Sequence, residues 1–196
     1  FEDYRGRMVN LLLDTAQSIT PEKVKAMQRN NYNLHAAEML PLMLQALATA
    51  NCISGENQNV ITLLSHWNYE YDRDSLSPVL FEIWYSAFER MTWDELDSMG
   101  VMRPEAWRFI EIVRDDPENK YFDLVQTADR KEHMTDIACA SFRFMLDTLT
   151  QIPADIKQDW GTFKHSTIPH LARFPHFGAD FISTSGGKRI VNAMTK

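Results

Sequence analysis

Three histidines crowd one late stretch, His165, His170 and His176, in the spacing H-x4-H-x5-H. Zinc sites draw on tighter patterns, and neither a nearby cysteine pair nor H-E-x-x-H accompanies them. They read as histidines hydrogen-bonding irregular backbone, with a metal-dependent site around the three as a rival. His35 and His66 stand singly on helical patterns and read as structural. "STSGGK", at 183–188, suggests a phosphate loop, but the Walker pattern needs G-x-x-x-x-G-K-[ST] between strand and helix. Here the lysine leads into "RIVNAM", which reads as a strand. A nucleophilic Ser183 or Ser185 would need an adjacent base, and no G-x-S-x-G elbow surrounds either. Gly186 and Gly187 therefore read as a hairpin turn. Glu70, Asp72 and Asp74 alternate in "NYEYDRDS", like half of a calcium loop without its glycine and closing glutamate. They read as a solvated turn in which Asp74 or Ser75 caps the next helix.

These residues sit in a chain of 196 residues, long enough for a substantial core and for one or two domains. The formal net charge is -7, from 27 acidic and 20 basic side chains, the wrong sign for tracking phosphates. No nucleic-acid role is expected. No apolar run approaches the roughly 20 residues of a bilayer span. Phe1 is not a methionine, as expected of a processed product or a piece of a longer chain. Cys52 and Cys139 fit no metal spacing, and Cys139 in "DIACASF" reads as a buried free thiol.

The elements that must position all this are mainly helical. Met8, Leu11, Leu12 and Ile19 follow a helical period, and Thr20–Pro21 is a start signal, cap then proline. "NLHAAEMLPLMLQALATA" predicts a buried helix that kinks at Pro41 or has a short first part ending near Leu40. Further helices are predicted in "NQNVITLLSHW" and "SPVLFEIWYSAFERM", and after Pro104. "TWDEL" has the form of a capping box between Thr92 and Glu95. Met134, Ile137, Ala138, Phe142, Met145 and Leu149 recur at three- and four-residue steps, a long helix. After Pro153 the period is lost, and irregular chain leads to terminal strands. The expected organisation is a helical region, 1–152, and an irregular segment with strands, 153–196, in one domain.

Read in order, several stretches resemble the larger chain of penicillin acylases. They are "YRGRMVNLLLDTAQSITPEKVKAMQRNNYNLHAAEMLPLML", "LLSHWNYEYDRDSLSPVLFEIWYSAF", "WGTFKHSTIPHL" and "GGKRIVNAM". The resemblance implies the helical portion of an αββα N-terminal nucleophile hydrolase, mainly α with a few C-terminal β-strands. It implies that a precursor cuts itself and that the exposed N-terminal residue attacks a linear amide, with its own amine as base. The nucleophile, the oxyanion asparagine and the calcium ligands of the full-length parent have no counterpart in these residues. Arg5, in "DYRGR", matches the family arginine that supports the oxyanion asparagine, the one catalytic role carried over. Implied partners are the rest of the acylase (an upstream chain and a small subunit) and a small-molecule amide. The piece alone is expected to be inactive, and its terminal strands to pair with strands outside it. The parent is expected in the periplasm. Asn30 or Asn31, Asn68 and Lys188–Arg189 depart from the family pattern, which puts substrate and local packing in doubt. The competing reading is a non-enzymatic helical interaction domain.

Overall fold

The computed structural model describes residues 3–127, 129–154, 156 and 159–193. The chain gathers into two compact units. One comprises Glu38–His66 and Leu80–Gln151; the other comprises Asp3–Ala37, Trp67–Val79 and Ile152–Lys196. The architecture is mainly α with a small antiparallel sheet near the C-terminus.

The first unit contains most of α3 (Leu34–Ala50), α4 (Gln58–Ser65), most of α5 (Ser77–Thr92), α6 (Asp94–Ser98), α7 (Ala106–Asp115) and α8 (Met134–Gln151). Helix α7 shows the logic most clearly. Phe109, Ile110, Ile112 and Val113 are buried, while Arg108 and Glu111 pair outside at 2.7 Å. The centre of the unit is Trp84 on α5, which is fully buried. Its Nε1–H donates to Ser141 Oγ at 3.2 Å, and its ring meets Phe142 edge-on. Phe88, Phe109 and Phe122 extend this aromatic core. Burying each such side chain stabilises by about 1.5–3 kcal/mol.

Helix α3 runs unbroken through Pro41, contrary to the ending near Leu40 that the proline suggests. Proline has no N–H for the carbonyl four residues back, but Met39, Leu40 and Met43 are all at 0% exposure. Packing on both sides of the proline holds the helix together. The capping box at Thr92 does not form. Thr92 still belongs to α5, and its hydroxyl donates to the Phe88 carbonyl at 2.9 Å, whereas Trp93 flanks α6 without a side-chain cap. Cys139 is buried as expected but is not a free thiol. It is joined to Cys52, 87 residues earlier, with Cα atoms 6.2 Å apart, a span that suits a disulfide.

The second unit holds α1 (Tyr4–Asp14), α2 (Pro21–Gln28), α9 (Trp160–Lys164) and strands β1 (Ser166–Ile168) and β2 (Ala179–Ile182). Helix α1 stops at Asp14, where the Thr15 hydroxyl donates to the Leu11 carbonyl, so Ile19 lies beyond it and is exposed. Thr20 caps α2 as predicted, accepting from the Lys23 amide. Asn33 accepts from the Ala36 amide at the start of α3. Helix α5 starts at Ser77, so neither Asp74 nor Ser75 flanks it.

The strands answer differently from the sequence expectation. β2 pairs with β1, Ser166 opposite Ile182 and Ile168 opposite Ala179, within a segment that lacks any strand period. Residues 189–193 of "RIVNAM" form turns and bends rather than a strand; 194–196 lie outside the described residues. The glycine pair is not a hairpin turn between strands. The chain instead folds back so that the Gly187 amide donates to the Asn192 carbonyl at 3.0 Å.

Candidate functional site

A polar network in the second unit surrounds this C-terminal loop, 183–192. It begins with α9. Asp159, in extended conformation, accepts from the Thr162 amide at 2.7 Å and starts the helix. The Trp160 and Gly161 amides donate to the Ser75 and Arg73 carbonyls, both at 2.8 Å. A Cβ on Gly161 would lie 2.1 Å from Ser183 Oγ and 2.8 Å from Arg73 Cβ. Only glycine lets the three segments meet there.

Helix α9 then aims two donors at one carbonyl. Trp160 Nε1–H donates to Gly186 O at 2.7 Å, and Lys164 Nζ to the same oxygen at 3.2 Å and to Ser185 O at 3.1 Å. The ammonium also lies 5.9 Å from the Trp160 ring centre. Lys164 is 6% exposed, and burial pulls its pKa down from 10.5 to about 8. Gly186 has φ +85°, and its amide donates to Tyr71 O at 2.8 Å. A side chain at Gly186 would strike the Asn192 carbonyl oxygen at 2.2 Å.

Arg5 holds the same loop farther along. Its Nε–H donates to Ile190 O at 3.0 Å and its Nη2 to Lys188 O at 2.9 Å. Ile190 is fully buried. Asn192 completes the closure: its amide donates to Asn30 O, and its Nδ2 to Asn31 Oδ1 at 2.9 Å. Asn31 Nδ2 passes the chain on to Asp72 Oδ1 at 2.8 Å. Asn30 and Asn31 are therefore both tied to the loop.

Beside the arginine, Tyr4 on α1 is buried and its ring meets His35 edge-on at 5.0 Å. His35 is fully buried, and burial, then the positive charge of Arg189, push its pKa well below the usual imidazole range. At neutral pH it is uncharged.

The remaining sequence candidates separate. His165 stacks on Phe181 at 4.5 Å, and His170 packs against Phe177 at 5.4 Å. Their Nδ1 atoms are buried and have no hydrogen-bond partner among the described residues. No group of three His, Cys, Asp or Glu among the described residues could hold a metal ion, which speaks against both the histidine trio and Glu70–Asp72–Asp74 as ligands. Asp72 accepts from Asn31 instead, and Glu70 is raised in pKa by burial and by Asp72. Ser185 Oγ accepts from the Arg73 amide. The site as built orients backbone; it holds no nucleophile paired with a base.

Lys164, Trp160 and Asn192 were not singled out from the sequence. D-W-G-T carries a capping signal that could have marked the start of α9. Nothing in the sequence marks Lys164 as buried, since lysine almost always lies outside.

A family model described as penicillin amidase matches residues 1–196. No curated protein matches the chain.

Proposed function

The chain belongs to the penicillin amidase family, an amidohydrolase family, and from that premise we propose that it is the helical, C-terminal-side part of an enzyme that hydrolyses linear amides. The nucleophile, a Ser, Thr or Cys freed at a new N-terminus by self-cleavage, lies outside this chain and uses its own amine as base. The observation that carries the reading is the match across all 196 residues. The Arg5 geometry agrees with it. Two of the guanidinium's donor nitrogens are engaged by a clamped loop, so the group is held in one orientation. A fixed fork of that kind suits an arginine that orients an oxyanion-binding amide, and this is the role proposed for Arg5.

The Cys52–Cys139 bridge supports an exported parent, since disulfides persist in oxidising compartments such as the periplasm. No helix among the described residues is long and apolar enough to cross a membrane. The partners proposed are the remaining acylase segments and a small amide substrate.

The test is expression from the natural start of the gene, followed by intact mass and assay on phenylacetyl and long-chain acyl anilides. Two chains, the larger beginning with Ser, Thr or Cys, and steady amide hydrolysis are expected. Residues 1–196 alone should be inactive. A single uncut chain without hydrolysis would overturn the reading in favour of an interaction domain.

A further inference from the structure

Burying an ammonium is expensive, and a buried lysine is kept where an apolar side chain of similar length would pack at less cost. Lys164 is such a case, and its partners make it more pointed. Gly186 O already accepts a 2.7 Å bond from Trp160, so the lysine is not needed to satisfy that oxygen. The lysine also reaches the preceding carbonyl, Ser185 O. Together the two bonds fix the orientation of consecutive carbonyls at the point where the chain takes its left-handed turn at Gly186. Two residues after Gly186 begins the stretch whose carbonyls, Lys188 and Ile190, receive Arg5. Lys164 thus holds the loop just before the Gly187–Asn192 bond, and Arg5 holds two carbonyls in the stretch which that bond closes.

We propose that Lys164 is a positioning residue: by holding the Ser185 and Gly186 carbonyls it sets the loop on which the Arg5 guanidinium rests. This deepens the role proposed for Arg5 and rests on that reading. Lys164 acts through the loop backbone, and an error at its end is passed to the arginine. Displacements of about 1 Å far from the chemistry can cost up to about a hundredfold in rate.

The experiment is Lys164→Met in the complete acylase, which keeps the stem and removes the bonds to the Ser185 and Gly186 carbonyls. Hydrogen exchange followed by mass spectrometry should show faster exchange in peptides covering 185–193, with peptides of α8 unchanged. Turnover per titrated active site should fall about tenfold or more with KM little changed, because binding is left intact. Adding Arg5→Gln should cost less than it does alone, since both changes act through one loop. Normal exchange in the loop, unchanged turnover in a processed active enzyme, or fully additive losses would each overturn the proposal. If the processed wild-type protein cleaves no amide, the functional reading fails instead. The exchange result then decides by itself whether Lys164 sets the loop.

Discussion

Removing the Cys52–Cys139 bridge should be the most damaging change to the first unit that leaves its apolar core intact. The bridge joins residues 87 positions apart. In the chain-entropy account, a loop of that length removes about 4–5 kcal/mol of freedom from the unfolded chain. For a chain of 150–250 residues each kcal/mol moves Tm by about 2–4 °C, so the expected loss is roughly 8–20 °C. The assay is differential scanning calorimetry of the oxidised protein, the reduced protein and the Cys52→Ala/Cys139→Ala variant. Intact mass before and after alkylation reports the thiol state of each. The reduced and alanine forms should melt together, well below the oxidised form. Cys139 is buried, so the alanine form also loses some packing and should not melt above the reduced form. Two alkylatable thiols in the native protein, or a difference of less than about 3 °C, would refute the reasoning.

Three further outcomes concern buried polar groups and the glycine turn. His35 is uncharged when folded and has a reference pKa of 6.5, so below that value only the unfolded state takes up the proton. Stability should fall as pH drops below 6.5 by up to about 1.4 kcal/mol per pH unit, and urea midpoints for His35→Gln should lack this contribution. Ser141→Ala leaves Trp84 Nε1–H buried without its acceptor and should cost about 1–3 kcal/mol in urea unfolding. Gly186→Ala meets both a left-handed φ and the Asn192 carbonyl, and should cost at least about 1–3 kcal/mol, while Ser185→Ala, which loses only the Arg73 amide contact, should cost less.

The helices were legible wherever one apolar face repeats over several turns. α8 has its predicted residues, with Ile137, Ala138, Phe142 and Met145 buried, and Thr20–Pro21 marks α2 correctly. Local rules misled where packing outweighed them, as with the helix end expected near Pro41 and the cap expected at Thr92. Both lie beside fully buried side chains, whose burial no short motif encodes. The disulfide escaped because its partners are distant in sequence and share no motif. C-terminal strands were expected and are present, but their pairing escaped for a related reason: β1 and β2 are three and four residues long and mostly exposed, so no alternation of apolar and polar residues marks their bounds. Arg5 was found only through the family resemblance. Its partners are backbone carbonyls, which carry no sequence signature at all.

The bonds of Arg5 span 183 and 185 residues, and that distance has a temporal side. A ribosome adding about 5–20 residues per second needs roughly 10–40 seconds to travel from the arginine to its acceptors. During that interval α1, whose sole buried residue in the finished structure is Tyr4, waits without them. Contacts of such long range form slowly, because chain closure must precede any gain from them. Synthesis thus delivers the loop to α1 long after the helix itself is made, and a chain stopped before Lys188 would leave Arg5 without both carbonyls.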